Sequence, residues 1–396
     1  MFHHQIIIVG GGNAGLSIAS QLLLKNNKLD IGIIEPSEKH YYQPAWTLVG
    51  GGAFDVEDTV RDEIDFIPKN AKWIKDAVQS FDPDNNKLAC QSGQTYSYDY
   101  LIVVPGIQLD WGKIKGLKET LGKNGVTSNY LFEFAPYTWE CLKNFKGGNA
   151  IFTAPNTPVK CGGAPQKIMY LAGDYILKNG IKDKSNIHFY SGGTKIFSIK
   201  EYADTLNKVI DRYGINTHFH HNLIEVDGPN KMAYFENEKG EIVKEAFEFI
   251  HVTPPQSAPD FIKSSSLAMP DNKFGFIDVD KETMQHCRFS NVFAAGDVTN
   301  TPNAKTGAAV RKQAPVLVNN LLRVMNGGVL NEKYDGYGSC PLVTGYGKLV
   351  LAEFDYNNKR KETFPFDQSK ERWSMWMLKK HVLPWLYWNR ILQGKA

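Results

Sequence analysis

The sequence has no run of about 18 consecutive apolar residues, the least a spanning helix needs, so none of its 396 residues is expected to cross a membrane as a helix. It has only five cysteines and no CxxC pair. That excludes a disulfide scaffold, a cysteine-based zinc site and a thioredoxin-like motif, and makes a reducing compartment the default. No metal site is expected. Neither sign of charge dominates, since 45 basic against 42 acidic side chains leave +3. Nucleic acid is therefore not an expected partner, and any preference for an anionic surface must be local. The first apolar run, Ile6 to Val9, begins close to Met1, so neither a secretory signal nor an organellar presequence is expected in the chain as given. With 42% hydrophobic and 22% charged residues the chain is folded, and its length suits two to three domains.

What is present begins at Gln5, with Gln-Ile-Ile-Ile-Val-Gly-Gly-Gly-Asn-Ala-Gly. A β-branched strand enters Gly10, Gly12 and Gly15 in GxGxxG spacing, and Leu16 to Leu24 read as a helix. Glycines there let the backbone approach a pyrophosphate seated on the helix amino terminus. A second strand, Ile31 to Ile34, ends in Glu35, 20 residues after Gly15. An acid at that point accepts hydrogen bonds from an adenosine ribose and favours FAD or NAD over NADP. Far downstream, Asn291 to Asp297 read as a strand ending in Gly296-Asp297, followed by Lys305, Thr306, Gly307 and a helical Ala308 to Val318. Tyr100 to Gly106 resembles the strand-to-glycine crossover of flavoproteins with two dinucleotide folds. In those proteins the aspartate holds the ribityl chain, and the next helix points its positive end at the isoalloxazine. The three segments together favour FAD.

The middle of the chain lacks a second fingerprint. A strand at Ala150 to Thr153 is followed by Ala-Pro-Asn-Thr-Pro-Val-Lys-Cys-Gly-Gly-Ala-Pro-Gln-Lys, with Pro155 and Pro158 where close approach to phosphate is needed. A helix from Gln166 to Leu177 and a strand from Ile187 to Tyr190 keep the order of the fold, so the scaffold persists without a nicotinamide site. Electrons must enter from something other than NAD(P)H. Cys161 lies ahead of that helix, with Lys160 before it and Lys167 six residues on, a setting that biases a thiol toward thiolate. Gly162 and Gly163 permit close approach of a flavin or a second sulfur. Cys340 is read in a glycine-rich loop, Gly-Tyr-Gly-Ser-Cys-Pro-Leu-Val-Thr-Gly-Tyr-Gly. From the residues alone, either cysteine could be structural or reactive; Cys90, Cys141 and Cys287 read as structural.

The segment from Trp373 to Ala396 holds four of the eight tryptophans, Trp373, Trp376, Trp385 and Trp388, and no acid follows Arg372. With Met377, Leu383, Leu386 and Tyr387 at helical spacing around Pro384, it reads as two short amphipathic helices. Lys370, Arg372, Lys379, Lys380, Arg390 and Lys395 give them a basic rim. Aromatic faces with basic rims suit a membrane interface; the alternative is a packed helix pair or a dimer contact.

Read together, these segments resemble sulfide:quinone oxidoreductases, in particular the type II, mitochondrial-like group. The most specific pieces are residues 35–50, 155–167, 334–346 and 362–372, and the resemblance runs from Ile6 to Trp388. Pro105, before Gly106, departs from the small or apolar residue usual there. The resemblance implies an α/β fold of two Rossmann-like dinucleotide-binding domains, glutathione-reductase-like, with a C-terminal amphipathic membrane-binding segment. The expected spans are 1–110 and 286–330 for the FAD-binding domain, 111–285 for the second Rossmann-like domain, and 331–396 for the redox-cysteine loop and interfacial helices. It further implies FAD held by Asn13, Ala14, Glu35, Gln43, the Val78 backbone, Asp297 and Lys305 to Ala308. Cys161 and Cys340 would be the redox pair, bridged at rest by a disulfide or trisulfide, with Lys167, Lys379 and Glu119 on the sulfide side. Hydrogen sulfide would open the bridge, leaving a persulfide on Cys340 and a Cys161 thiolate that passes two electrons to the flavin and on to membrane quinone. Sulfite, glutathione or another sulfide would take the sulfane sulfur. A peripheral, monotopic place follows, on the cytoplasmic face of a bacterial inner membrane or, for a mature form, on the mitochondrial inner membrane; homo-oligomerisation stays open. The competing readings are a type 2 NADH:quinone dehydrogenase, a flavocytochrome sulfide dehydrogenase subunit and a non-catalytic flavin-bound sulfur carrier.

Overall fold

Ile6, Ile7, Ile8 and Val9 are all buried, a run that suits a central parallel strand covered on both faces. The computed structural model, which describes residues 2–396, places them in β1 (Phe2–Val9). Helix α1 (Asn13–Lys25) returns the chain to β2 (Ile31–Ile34), parallel to β1 with Ile6 opposite Ile31. β3 (Thr95–Val103) lies parallel on the other side of β1, pairing Val103 with Val9. The strand Val292–Ala294 reaches back across the sequence to pair with β3. The strand Ala71–Ile74 and the antiparallel pair Val78–Asp82 and Lys87–Cys90 complete a seven-stranded sheet.

A second sheet is wholly parallel. Its order is Val126–Thr127, Phe249–His251, β4 (Gly148–Ala154), Ser185–Ser191 and Ile215–Phe219. β4 leads through residues 155–163 into α2 (Ala164–Lys178), then to Ser185–Ser191. The strand, helix and strand read from the sequence are therefore present, each slightly longer. A separate antiparallel sheet of His221–Asp227, Met232–Asn237 and Ile242–Ala246 follows.

Helix α3 (Gly307–Met325) packs against α1 over β1: Val310, Ala314, Leu317 and Leu321 share one buried core with Ile6, Ile8, Leu16 and Ile18. The hairpin of β5 (Gly338–Gly345) and β6 (Lys348–Phe354) belongs to a different core. Its Cys340, Leu342, Val350 and Ala352 pack with Ile168, Met169 and Tyr170 of α2. Cys340 is thus on a strand, paired with Ala352, and not in a loop. The glycines and Pro341 around it suggested irregular backbone, but pairing with β6 decides the conformation, and pairing is non-local.

The two separate C-terminal helices expected from the sequence are one helical run. Trp373–Met377 and Leu383–Leu386 are α-helical, joined and followed by wider π-type turns, Leu378–Val382 and Tyr387–Ile391. Pro384 falls in the first turn after a wide turn, where its missing N–H is tolerated. The four tryptophans divide: Trp373 and Trp385 are 66% and 58% exposed, whereas Trp376 and Trp388 are 7% and 8% exposed. Only half of the expected aromatic foot faces solvent. No helix among the described residues is long and apolar enough to cross a membrane.

Candidate active site

In the loop after β4, Pro155 and Pro158 have no N–H to donate. The same loop carries Cys161 in a left-handed conformation, φ 56°, fixed by two backbone bonds: Cys161 N–H to the Lys305 carbonyl at 2.7 Å and Ala164 N–H to the Cys161 carbonyl at 2.7 Å. The hairpin brings Cys340 to the same point. The two Sγ atoms, 179 residues apart in sequence, lie 3.8 Å from each other, and both cysteines are free.

Lys167, in the first turn of α2 and buried, donates from Nζ to Cys161 Sγ at 3.0 Å. The Cys161 thiol is held well below its usual range. The hydrogen bond from Cys340 contributes most; burial opposes it, and the charges of Lys167 and Lys379 support it. Cys340 is pushed up, by that same bond and by burial; Lys167, beside Cys161, favours Cys161 over Cys340 as the thiolate. Burial works against the Lys167 charge, but Cys161 and Cys340 outweigh it and raise the ammonium. Lys379, also buried, donates from Nζ to the Pro44 carbonyl at 2.8 Å; burial and repulsion by Lys167 lower it to about 7. Glu119 is not brought here: it is exposed on the short helix Leu117–Thr120, which packs against His221–Asp227.

The dinucleotide turn lies at the carboxyl ends of β1 and β3. Its glycines have separate reasons. A Cβ on Gly10 (φ 105°) would stand 2.6 Å from the Val104 carbonyl oxygen, and one on Gly15 would stand 1.9 Å from the Gly10 carbonyl oxygen. Chain packing therefore demands both. Gly12 is exposed, with nothing within 4 Å of its Cβ position, so its surroundings leave room for a ligand. Asn13 opens α1 with a buried Oδ1 that has no partner, and Ala14 is buried behind it. Glu35 accepts the N–H groups of Gly11 and Ser37, both at 2.8 Å; burial is the main cause raising its carboxyl, and Glu63 adds to it.

The amino terminus of α3 converges on that of α1: a Cβ on Gly307 would lie 3.4 Å from Asn13 Nδ2. Thr306 caps α3, its hydroxyl accepting the Ala309 N–H, and Ala308 is half-buried beside it. Two positive helix ends at one place suit an anionic, electron-accepting ligand. Gly296 (φ 75°) precedes Asp297, whose carboxyl is raised by burial against the pull of Lys305 and Lys160. Lys305 donates to the Asp297 and Thr299 carbonyls at 2.7 and 2.9 Å, and burial lowers it to about 8. Gly106 (φ 79°) has no atoms within 4 Å of its Cβ position, and Val78 is buried at the start of its strand. Gln43 accepts from Lys160 Nζ at 2.7 Å. These residues fit a flavin dinucleotide: an open glycine face, an unpartnered Asn13 oxygen and two converging helix ends.

Sequence reasoning missed Tyr130, whose buried hydroxyl has no partner and whose ring lies 5.9 Å from Lys160 Nζ. It missed Glu63 and His40 as well. No spacing rule marks any of the three, because fold alone brings them in. Beside Cys161 a cavity of about 560 Å³ opens, lined among others by Thr157, Gly162, Lys195, Asn300 and Lys305.

The pyridine nucleotide-disulphide oxidoreductase family matches residues 4–135. The chain is 52% identical over 394 residues to the mitochondrial sulfide:quinone oxidoreductase of Dictyostelium discoideum, covering 99% of this chain and 86% of that one. To the mitochondrial sulfide:quinone oxidoreductase of Mus musculus it is 46% identical over 394 residues, covering 99% and 87%. The X-ray structure of the sulfide:quinone oxidoreductase from the hyperthermophilic bacterium Aquifex aeolicus shares the fold, with a TM-score of 0.84 at 19% identity over 100% of this chain and 92% of that one.

Proposed function

The chain belongs to the sulfide:quinone oxidoreductase family, and on that premise we propose that Cys161 and Cys340 are its redox pair and that its flavin is FAD. The enzyme takes electrons from sulfide and gives them to quinone. The backbone N–H groups of Asn13 and Ala14 and the open face of Gly12 hold the pyrophosphate, Glu35 the adenosine ribose, and Asp297 the ribityl chain. The amino terminus of α3, Lys305 to Ala308, faces the ring system, with Gln43, Val78, Gly106 and Gly296 completing the walls. Bound FAD supplies a two-electron acceptor between the sulfurs and quinone.

The chain's own chemistry is sulfur exchange. Hydrosulfide attacks the Cys340 sulfur of a Cys161–Cys340 bridge. A new S–S bond forms on Cys340, and the electron pair of the broken bond stays on Cys161 as thiolate. Lys167, at 3.0 Å, stabilises that thiolate, while Lys379 adds positive potential that attracts the anionic substrate. A small nucleophile, sulfite, glutathione or sulfide, reaches the Cys340 persulfide through the cavity beside Gly162 and removes its outer sulfur. The two thiolates then rejoin, and the two electrons released by that bond formation are the two that leave for quinone. Relatives named as mitochondrial, with Trp373, Val382 and Trp385 exposed along the C-terminal run, support a peripheral place on the mitochondrial inner membrane, where quinone resides.

The 3.8 Å approach of the two sulfurs carries this reading. Anaerobic mixing with sulfide should bleach the flavin, and a short-chain quinone should restore its colour. Bleaching by NADH and not by sulfide overturns the assignment.

A further inference from the structure

We propose that Glu63 is a second ligand for the adenosine ribose of the bound dinucleotide, and that a buried chain, Glu63–His40–Tyr387, ties retention of that dinucleotide to the seating of the C-terminal helical run. The proposal rests on the FAD reading above and is independent of the sulfur chemistry.

Glu63 opens the short turn Glu63–Asp65 and is 1% exposed. Its Oε2 lies 2.8 Å from His40 Nδ1, and His40 Nε2 lies 2.6 Å from the Tyr387 hydroxyl; all three side chains are buried. The other carboxylate oxygen, Oε1, has no partner. A carboxylate oxygen out of water without a donor is costly, so a donor from outside the chain is called for. Its position follows from Gly11. A Cβ built there would stand 2.5 Å from Glu63 Oε1 and 2.7 Å from Glu35 Cγ. Two acids therefore converge on the middle of the dinucleotide turn.

Glu35 already spends one oxygen on the Gly11 N–H and the other on the Ser37 N–H. An adenosine ribose presents two adjacent hydroxyl donors; Glu35, whose oxygens each keep a second lone pair, takes one, and the unpartnered Glu63 Oε1 takes the other. Two acids at this place also repel a 2′-phosphate.

The far end of the chain of hydrogen bonds is the C-terminal run. Trp388, next to Tyr387, packs its ring 5.7 Å from that of His40 and 5.1 Å from that of Phe66. Ser17 and Ser20 of α1 donate to the carbonyls of Ile391 and Leu392 at 3.1 and 2.7 Å. The run is thus fastened both to the helix that begins at the nucleotide turn and, through His40, to Glu63. Loosening it frees Glu63 to turn away.

The test is equilibrium binding to flavin-stripped protein, followed by flavin fluorescence. The ligands are FAD and two analogues lacking the 2′- or the 3′-hydroxyl of the adenosine ribose. Glu63→Ala and the space-filling Glu63→Met should each bind FAD about tenfold more weakly, the effect of one lost charge-assisted hydrogen bond. At least one analogue should bind wild type about tenfold more weakly than FAD yet lose less than about threefold on the variants. Tyr387→Phe should weaken FAD about threefold. Equal losses on wild type and on both Glu63 variants, for both analogues, overturn the ligand role; unchanged FAD affinity in Tyr387→Phe overturns the coupling. Either result leaves FAD bound to wild type and the FAD reading standing. Wild type without affinity for FAD removes both.

Discussion

A Cβ on Gly163 would stand 2.4 Å from Cys340 Sγ and 2.5 Å from Leu342 Cδ2, so the sulfurs of Cys161 and Cys340 meet only because a side chain is missing between α2 and β5. Gly163→Ala must push the hairpin away or turn the loop. Misplacing reacting groups by an ångström costs on the order of a hundredfold in rate, and a drop of at least about tenfold in sulfide-dependent flavin bleaching is expected, with flavin content unchanged. Stopped-flow absorbance reads it, and a wild-type rate in Gly163→Ala would remove the steric argument.

Lys167 is placed to favour the thiolate of Cys161. Its ammonium, 3.0 Å from the sulfur, supports the thiolate that the Cys340 hydrogen bond favours and burial opposes. Lys167→Met removes that charge, and the Cys161 thiol should titrate at higher pH than in wild type. Lys167→Arg should restore most of it. The readout is the pH dependence of Cys161 alkylation in the reduced protein, resolved by peptide mass spectrometry. An unchanged midpoint in Lys167→Met would assign the depression to the Cys340 hydrogen bond and Lys379.

The order of the fold was legible where the signals are local. Ile6 to Val9, Gly10 to Gly15 and Ile31 to Glu35 announce β1, α1 and β2 through apolar runs and glycine spacing. The pairing of Cys161 with Cys340 was legible only through resemblance to a family, because 179 residues separate them and the hairpin register places one beside the other. Glu63 and His40 gave no signal, since a buried hydrogen bond between a strand and a short turn has no sequence period. The tryptophans show the limit most plainly. Trp373 and Trp385 are exposed while Trp376 and Trp388 are buried; at about 100° per residue the members of each pair lie about 120° apart, and the two wide turns that change the phase of the run have no sequence signal.

Stability should carry the imprint of Lys379. Burial lowers its ammonium to about 7, while an exposed lysine titrates near 10.4. Between those values the unfolded chain holds a proton that the folded chain has lost, so this group makes stability rise with pH, by up to about 1.4 kcal/mol per unit, from about pH 7 to about pH 10. Below about pH 7 both states are protonated and the cost of the buried charge is full. Lys379→Met should therefore exceed wild type in stability most at pH 6 to 7, with the difference shrinking toward about pH 10. Urea denaturation across that range checks it; a difference independent of pH would show that Lys379 does not change its proton on unfolding.

The division of the tryptophans separates membrane contact from folding. Trp388 is 8% exposed and packs on His40, Phe66 and the Arg61 guanidinium. Trp388→Ala leaves a cavity and should cost about 3–5 kcal/mol of stability. Trp373 and Trp385, on the exposed side with Val382, should be nearly silent in stability when changed to Ala, but the double variant should lose most of its binding to liposomes. Indole rings at the headgroup level and cations toward anionic lipid supply that binding. Lys380 and Arg390 flank the exposed rings without any carboxylate partner among the described residues. Binding should therefore strengthen with anionic lipid and weaken with salt. Co-sedimentation with neutral and with anionic vesicles, beside thermal unfolding of each variant, gives the comparison. Equal vesicle binding by wild type and the Trp373→Ala/Trp385→Ala variant would move the membrane contact off this run and leave the exposed rings to a partner protein or a second copy.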